Sequence, residues 1–295
     1  YHIFEEYAYY LVSEARQKCA NHIFKLGGNV YAFDSTTIDL CLSVFWWAKF
    51  RKKKGGIKVH TLYDVETQIP AFFHITEASV HDSKVMIEIP YEPSSYYIFD
   101  RGYNNFKILY KIHQIEAYFV VRAKKNLGYK SIQWKRRLPK NVLSDASVFL
   151  TGFYPKQYYP EPLRLVKYWD EEQEREFTFI TNAMHISALQ VAELYKNRWQ
   201  VELFFKWLKQ HLKIKRFWGT TENAVRIQIY AAICAYCLVA IIQHDMQLNR
   251  STYEVLQILS ISLTDKTHLR DLFDKTKFQN DKERFGPNGP SLFNF

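Results

Sequence analysis

The segment YKNRWQVELFFKWLKQ, residues 195–210, combines a helical pattern with polar residues that a buried helix rarely carries. An α-helix advances about 100° per residue, so Tyr195, Arg198, Glu202 and Lys209 fall within about 60° of one another on one face. The other faces carry mostly Val, Leu, Phe and Trp, which predicts that much of this helix is buried. A polar stripe on a helix usually faces solvent. Here a carboxylate lies between two cations and a phenol, and that grouping favours a functional site.

Two β-rich segments upstream each contain a carboxylate after an apolar run. The segments GGNVYAFDSTT (27–37) and SSYYIFDRGY (94–103) are short and rich in aromatic or β-branched residues. They predict buried strands with Asp34 and Asp100 at their ends. Taken alone, a strand-terminal Asp is more often a turn or cap residue than a ligand. If the two strands are neighbours and the Glu202 helix packs on that edge of the sheet, three carboxylates converge.

Three clustered carboxylates repel one another unless cations neutralise them, and hard oxygen ligands suit Mg²⁺ or Mn²⁺. Two such ions, roughly 3.5–4 Å apart, can activate an attacking oxygen and stabilise the leaving oxygen in phosphoryl transfer. The residue types that a two-metal phosphodiester enzyme requires are therefore present in this chain.

The order of predicted elements favours an α/β layer with a mixed sheet. After a first helix that extends to about residue 24, the pattern is β, β, β, α, β, α, β, and the segments IKVHTLYDV and IPAFFHIT form an antiparallel hairpin. In the helical segment SVHDSKVMIEI, Asp82 is interpreted as a helix cap rather than a ligand. We expect a first core part at 1–123, a β-rich insertion at 124–181, a second core part at 182–246, and C-terminal helices and tail at 247–295.

Composition and charge bound the class of protein. The 295 residues are 47% hydrophobic and 24% charged, as in an ordinary globular protein, which excludes disorder for most of the chain. Lys and Arg number 40 against 30 Asp and Glu, and the net charge of +10 favours a polyanionic partner such as nucleic acid. Four cysteines are too few for a disulfide framework and favour a reducing compartment. Cys234 and Cys237 lie in an apolar helical segment, which disfavours a zinc or redox site.

The most apolar segment favours a core helix over a membrane span. Its uncharged part, Ile227 to Gln243, is shorter than the roughly 20 residues that cross a bilayer. The chain begins without Met and carries Glu5, Glu6 and Glu14 where a secretory leader would be basic and then apolar. We therefore expect a fragment of a longer protein, without a signal peptide and without membrane contact.

The chain resembles the IS-four type of DDE transposases from bacterial insertion sequences. The signature of that family is Tyr, two residues, Arg, three residues, Glu, six residues, Lys, and Tyr195, Arg198, Glu202 and Lys209 match its spacing. The segments AFDSTTI, IFDRGY and FITN resemble the blocks that carry the first Asp, the second Asp and the strand before the Glu helix. The four blocks occur in the family's order and cover about residues 30–245.

The resemblance implies an RNase H-like mixed-sheet catalytic core with a β-rich insertion domain and C-terminal helices. It implies that Asp34, Asp100 and Glu202 are catalytic residues and bind two Mg²⁺ or Mn²⁺ ions. The residues that it implies contact phosphates of the transposon end are Tyr195, Arg198 and Lys209. A base flipped out near the DNA end would stack on an aromatic of the insertion, either Trp134 or Trp169.

The same resemblance implies the activity and the partners. The activity would be metal-dependent cleavage of transposon ends through a hairpin, followed by strand transfer into target DNA. The partners would be double-stranded DNA, both transposon ends and target, and a second copy of the chain, in a homodimer that bridges two ends in a synaptic complex. The location would be the bacterial cytoplasm, at the nucleoid. Two alternatives stay open: an RNase H-like nuclease without transfer activity, and a non-catalytic DNA-binding protein.

Further basic residues are candidates for contact with the DNA backbone. The segment KFRKKKGGIK (49–58) is interpreted as a basic link after the first strand, RAKKN (122–126) follows the fifth strand, and QWKRRLPK (133–140) lies in the insertion. The candidates from the first two segments and from IFDRGY are Lys53, Lys54, Lys58, Arg101 and Arg122.

Overall fold

The helices and strands follow the predicted α/β alternation. The computed structural model describes residues 1–20, 24–51, 54–211, 217–250, 252–262 and 266–275. In chain order its elements are α1 (His2–Lys18), β1 (Val30–Leu40), β2 (Lys49–Arg51), β3 (Lys54–Asp64), β4 (Ile69–Glu77), α2 (Asp82–Val85), β5 (Tyr96–Phe99), α3 (Phe106–Gln114), β6 (Tyr118–Arg122), β7 (Tyr129–Trp134), β8 (Val142–Leu150), α4 (Phe153–Tyr158), β9 (Leu163–Asp170), β10 (Arg175–Thr181), α5 (Ala188–Asn197), α6 (Trp199–His211), α7 (Glu222–Asp245), α8 (Thr252–Ser262) and α9 (Leu269–Lys275). Short 3₁₀ turns occupy Met86–Glu88 and Arg101–Tyr103.

The strands form one mixed sheet in the order β2-β3-β1-β5-β6-β10-β9-β8-β7, and β4 also pairs with β3. Strands β1, β3 and β4 are antiparallel neighbours, whereas β5 and β6 run parallel to β1. This arrangement confirms the predicted α/β core with a mixed sheet. The segment 124–181 contributes β7 to β10, which extend the same sheet through the antiparallel pairing of β10 with β6.

The chain divides into two compact units, residues 1–241 and 242–295. The first contains the whole sheet together with α1 to α6 and most of α7. The second contains the C-terminal end of α7 with α8 and α9, and within it Arg250 donates a hydrogen bond to the Phe273 carbonyl. The four domain boundaries expected from the sequence stay predictions.

Alternating side chains of the central strands build two cores, one on each face of the sheet. Val30 and Ala32 of β1 pack with residues of α1, α5, α6 and α7, whereas Tyr31 and Phe33 pack with residues of α2 and α3. By the same alternation, Asp34 faces the side of α6. The fold therefore directs the first predicted catalytic carboxylate toward the helix that carries the Glu.

Asp34 lies inside β1, so the prediction that it ends the strand is wrong. The parallel pairing of β1 with β5 stops at Phe33 and Phe99, but its antiparallel pairing with β3 continues to Leu40. The backbone of β3 therefore keeps β1 extended beyond Asp34. Asp34 and Asp100 are each the first residue after the parallel pairing, and this places both at one edge of the central sheet.

The helical pattern of residues 195–210 predicts one continuous helix, and this is wrong at Arg198. Helix α5 ends at Asn197 and α6 begins at Trp199, with Arg198 in a turn between them. The Arg198 amide donates to the Tyr195 carbonyl at 3.1 Å, an i to i−3 bond that is tighter than the α-helical one. The first helix is also shorter than predicted, since α1 ends at Lys18.

Two local interpretations also need correction. Residues 54–58 belong to β3 rather than to a link, because Gly55 and Gly56 pair with β1 and so extend the strand backward. The cap of α2 is His81, whose ring nitrogen accepts the Ser83 amide. Asp82 is instead the first residue of α2, which leaves its carboxylate available for other contacts.

Helix α7 is long and apolar enough to cross a membrane by length and composition, with a mean hydropathy of 2.0 in its most apolar window. Half of that window is buried inside the protein. Buried side chains such as Ile229, Ile233 and Cys237 belong to the core on the α6 side of the sheet. The core helix of a globular protein passes the same test of length and composition, and this is how α7 packs here.

A capping box fixes the start of α5, which positions Tyr195. The Ser187 hydroxyl accepts the Gln190 amide, and the Gln190 side chain accepts the Ser187 amide. We expect Ser187→Ala to lower the free energy of unfolding by about 1 kcal/mol, because an amide of the first turn loses its acceptor. Urea unfolding measures this loss, with Ser187→Asn as the control that retains a capping side chain. Equal stability of the Ala and Asn variants would contradict the role of the cap.

Candidate active site

Arg198 joins two of the three predicted carboxylates. Its Nη1 donates to Asp34 Oδ2 at 2.5 Å and its Nη2 donates to Glu202 Oε1 at 2.5 Å. The guanidinium side chain is 14% exposed, so most of this ion pairing occurs away from solvent. The guanidinium is a rigid fork of donors, and here one Arg neutralises carboxylates from β1 and α6 at once. The buried Arg198 Nε has no acceptor within the described part of the chain.

Tyr195 holds the third carboxylate. Its hydroxyl donates to Asp100 Oδ1 at 2.8 Å, and Arg122 Nη1 lies 4.0 Å from the same oxygen. Arg101 follows Asp100 in the 3₁₀ turn and is partly exposed. Asp34, Asp100 and Glu202 thus converge on two neighbouring side chains of the signature, Tyr195 and Arg198.

Lys209 completes the predicted stripe. Its ammonium donates to the Thr37 carbonyl of β1 at 3.0 Å. The stripe of Tyr195, Arg198, Glu202 and Lys209 therefore faces the edge of the sheet along its whole length, despite the turn at Arg198. Contact between these residues and DNA phosphates stays a prediction.

Burial and neighbouring groups shift the pKa values of Asp34 and Asp100 in opposite directions. Burial raises the pKa of Asp34 to about 6, and Glu202 and Asp100 add to the rise, although Arg198 opposes it. Burial also acts to raise the pKa of Asp100, but hydrogen bonds from the Arg101 amide and the Tyr195 hydroxyl outweigh it, so this pKa is lowered. Asp34 is therefore the aspartate of this site whose protonated form is favoured, chiefly because it is buried.

A polar cluster supports β1 from the opposite face of the sheet. Asp82 Oδ1 accepts the Ser35 hydroxyl at 2.8 Å and forms an ion pair with Lys58 Nζ at 3.0 Å. The buried His60 Nδ1 lies 3.9 Å from the same oxygen. Burial lowers the pKa of His60 to about 4, so this ring is neutral at pH 7. The sequence alone gave no reason to connect Asp82 with the residue next to Asp34.

The predicted DNA contacts around residues 53–58 differ in their setting. Lys53 lies outside the described residues. Lys54 begins β3. Lys58 is 13% exposed, and its ammonium contacts Asp82 and the Val80 carbonyl.

A divalent metal fits the donor chemistry of this site. Three carboxylates supply the hard oxygens that Mg²⁺ and Mn²⁺ prefer. In the described part of the chain, however, no three His, Cys, Asp or Glu side chains lie close enough to form a ready metal site. The Arg198 guanidinium holds Asp34 and Glu202 by their oxygens, and it takes the place of a bridging cation between them.

A cavity of about 770 Å³ opens beside the carboxylates. Its lining comes mainly from the β9–β10 hairpin, α5 and the start of α6, together with Arg122 at the end of β6. The lining side chains include Phe177, Tyr195, Arg198 and Trp199. The Arg122 and Arg175 guanidinium carbons lie 4.8 and 4.4 Å from the centre of the Phe177 ring. Neither Trp134 nor Trp169, the two aromatics named from the sequence, lines this cavity.

Trp199 also lines this cavity but is not among the site residues that the sequence predicts, although it directly follows Arg198 in the signature. It is 57% exposed. The signal that the sequence carries for it is an aromatic residue directly after the Arg of the signature.

Comparisons with known proteins agree with the geometry. The model of the transposase DDE domain family matches residues 25–238. A relative with a transposase name, y4zB of Sinorhizobium fredii, is 37% identical over 246 residues, which cover 81% of this chain and 67% of that protein. A second relative, named for insertion sequence element IS5377 of Geobacillus stearothermophilus, is 31% identical over 205 residues, which cover 70% of this chain and 54% of that protein.

One solved structure with a similar chain is a piggyBac transposase synaptic complex with hairpin DNA. It has a TM-score of 0.49 and 14% sequence identity, and the match covers 88% of this chain and 54% of that one. The chain spans about half to two thirds of the length of the relatives it matches. Because the family model covers most of the chain, including Asp34, Asp100 and Glu202, the chain belongs to the transposase DDE domain family.

Proposed function

We propose that this chain carries the catalytic domain of a DNA transposase that cleaves phosphodiesters at transposon ends with divalent metal ions. The observation that carries the proposal is the convergence of Asp34, Asp100 and Glu202 on Tyr195 and Arg198. Family membership and the transposase names of the relatives support the same activity. Because those relatives are longer, the activity of a whole protein is part of the proposal.

The three carboxylates would hold two ions of Mg²⁺ or Mn²⁺. Such ions, when bound, activate an attacking oxygen and stabilise the leaving oxygen of a phosphodiester. Tyr195 orients Asp100 through its hydroxyl and keeps one carboxylate oxygen at the edge of the sheet.

Arg198 has a second role in this proposal. A DNA phosphate offers the guanidinium two oxygens in the geometry that a carboxylate offers, so it competes with Asp34 and Glu202 for the same donors. If the Arg198 guanidinium paired with the phosphate instead, the carboxylates of Asp34 and Glu202 would be released from their ion pairs. Lys209 would add a second phosphate contact from the same face of α6.

The finer steps are a DNA hairpin, a flipped base and strand transfer into target DNA. The cavity beside Tyr195 has the aromatic surface that an extruded base requires for stacking. We place that base against Trp199 or Phe177 rather than against Trp134 or Trp169.

A homodimer that bridges two ends would act on both transposon ends and target DNA, at the nucleoid of a bacterial cytoplasm. Arg101, Arg122, Lys53 and Lys54 are proposed backbone contacts.

The test is cleavage of a duplex that carries the end of the parent element, with the full-length parent protein. We expect nicking at the element's end with Mg²⁺ or Mn²⁺, and no nicking in EDTA, because carboxylates alone cannot neutralise the developing charge. Addition of a target plasmid should then give joined products. Metal-independent nicking would refute the metal role. Tight binding without nicking would favour the non-catalytic DNA-binding protein, and nicking without joined products would favour the nuclease.

A further inference from the structure

One segment, which begins at the end of β6 and continues through β7 at the far side of the sheet, concentrates positive charge. Residues 122–140 contain no Asp or Glu. Nearly every residue from 124 to 140 is exposed. The eight basic residues of the segment are Arg122, Lys124, Lys125, Lys130, Lys135, Arg136, Arg137 and Lys140. The segment contains β7 and the loop that leads from β7 to β8.

Strand β7 also exposes apolar side chains that a terminal strand usually hides. It is the last strand in the described sheet and pairs with β8 alone. Trp134 is 62% exposed and Ile132 is 50% exposed. Terminal strands are commonly protected by charge, and here the charge is of one sign only. A basic surface with interleaved aromatic residues suits a polyanion with flat apolar groups, which is the chemistry of nucleic acid.

The strand register places the end of β7 on the same side of the sheet as the carboxylates, where β5 also ends. Pairing runs across the sheet from the residue before Asp100 to the end of β7. The paired residues of this row are, in order, Phe99, Val121, Ile180, Leu165, Ala146 and Trp134. The pairing extends one residue further, where the Lys135 amide donates to the Asp145 carbonyl at 2.9 Å. Asp100 and the loop after Trp134 therefore leave the sheet from one edge, although they are distant in sequence.

The separation matches a short length of duplex. Five strand spacings of about 4.8 Å separate β5 from β7, or about 24 Å along the edge. The rise of B-DNA is about 3.4 Å per base pair, so this separation equals about seven base pairs. A duplex that spans this distance would contact the carboxylates and the β7 loop at once, and it would pass the β9–β10 hairpin, which extends five residues beyond the row to Asp170 and Arg175.

We propose that the β7 edge, residues 130–140, is a second DNA-binding surface that holds the duplex about seven base pairs from the phosphate at the carboxylates. This inference rests on the proposed DNA substrate. Lys135 pairs with Asp145 and Lys140 pairs with Glu171, so part of the charge is already neutralised. Arg136 and Arg137 are exposed between them and are the main phosphate contacts. Trp134 packs against the sugar and base edges beside them.

The experiment measures DNA affinity by fluorescence anisotropy against salt concentration. The variant is Arg136→Ala with Arg137→Ala, and the matched control is Lys107→Ala with Lys111→Ala, which removes two exposed charges from α3. The probes are labelled hairpin duplexes of arbitrary sequence with stems of about 6 and about 16 base pairs, the shorter being unable to span both sites.

For the longer stem we expect the Arg variant to have a shallower salt dependence, with the magnitude of the slope of log K against log salt reduced by roughly 2. We also expect its affinity at about 0.1 M salt to be about 10- to 100-fold lower. The control should keep the wild-type slope. For the shorter stem the Arg variant and the wild type should differ much less. Trp134→Ala should weaken binding to the longer stem while leaving its salt slope unchanged, since it removes no charge.

Two outcomes overturn the inference in different ways. If the wild type binds the longer stem and the Arg variant binds it with the same slope, the β7 edge is not a DNA surface, and the proposed function is untouched. If the wild type binds neither stem at any salt concentration, the proposed function fails together with the inference. A change in oligomeric state of the Arg variant without a change in slope would assign the β7 edge to contact between copies of the chain and overturn the inference.

Discussion

Glu202→Gln is expected to reduce metal-dependent cleavage of the transposon end by at least about 10³-fold. The substitution retains the size of the side chain but removes the charge that Glu202 contributes beside Asp34 and Asp100. Metal ions contribute several kcal/mol to stabilisation of the transition-state charge, and each 1.36 kcal/mol is a factor of ten in rate. Single-turnover cleavage of an end-bearing duplex by the full-length protein measures the loss.

The fold should tolerate this substitution. Glu202 is 31% exposed, and the Gln amide oxygen can still accept the hydrogen bond that Arg198 donates from four residues earlier, so no donor of Arg198 is left unpaired. A matched control is Glu222→Gln, since Glu222 pairs with Arg226 at the same spacing in α7, at 2.8 Å. We expect the control to cleave at the wild-type rate.

The prediction has a clear contrary result. If Glu202→Gln cleaves within about tenfold of the wild type, Glu202 is not a metal ligand, and the convergence of three carboxylates has a structural cause. If both Gln variants lose activity equally, the loss arises from the helices rather than from the site. Measurement of duplex affinity for each variant separates a defect in chemistry from a defect in binding.

The residue types of the site could be predicted because their signals are local. The spacing of Tyr195, Arg198, Glu202 and Lys209 depends on helix geometry, and it survives a turn at Arg198 because the backbone there keeps helical dihedrals. Asp34 and Asp100 each follow an apolar run, and parallel strands in one sheet bring such positions to one edge. These parts of the site require no knowledge of distant contacts.

Other features could not be predicted because they depend on pairing between distant segments. The extension of β1 beyond Asp34 comes from its pairing with β3, and no residue within β1 signals it. The contact of Asp82 with Ser35 requires α2 to pack against the opposite face of β1. The alignment of Trp134 with Phe99 requires the register of six strands. A sequence pattern reports on neighbours along the chain, whereas these contacts are fixed by strand order and register.

Arg164→Met is expected to lower the free energy of unfolding by about 3–5 kcal/mol, because it leaves a buried carboxylate without its cation. Arg164 and Asp145 are 3% and 4% exposed, and two hydrogen bonds of 2.7 and 2.8 Å join them between β9 and β8. Arg164 also donates to the Ala183 and Ile186 carbonyls before α5, so it ties the β-rich segment to the helix that carries Tyr195. Lys135 lies 3.1 Å from Asp145 and still neutralises part of its charge in the variant, so we expect a loss of stability of about 3 kcal/mol rather than about 5 kcal/mol. Urea unfolding at pH 7 measures the change.

Two controls separate the charge effect from a packing effect. Lys167→Met removes a cation from the same strand, but its pair with Glu176 is 3.8 Å long and more than a third exposed, so we expect a loss below about 1 kcal/mol. Arg164→Met combined with Asp145→Leu removes both buried charges and should recover most of the stability. If the double variant is no more stable than Arg164→Met alone, the loss arises from packing or from the lost carbonyl contacts.

The pH dependence of this loss has a definite sign. Burial acts to raise the pKa of Asp145, but Arg164 and Lys135 outweigh it, so the pKa of the folded protein lies below its ordinary value. The ion pair therefore stabilises the wild type above the unfolded-state pKa of about 3.9, and this contribution disappears as the pH falls through the lower folded-state pKa. Without Arg164, burial should raise the pKa of Asp145. As the pH falls, protonation of Asp145 then removes the buried charge and stabilises the Arg164→Met variant. The difference in free energy of unfolding between the wild type and Arg164→Met should consequently narrow between pH 7 and about pH 4. A difference that is constant over this range would show that the charge of Asp145 is not what the arginine compensates.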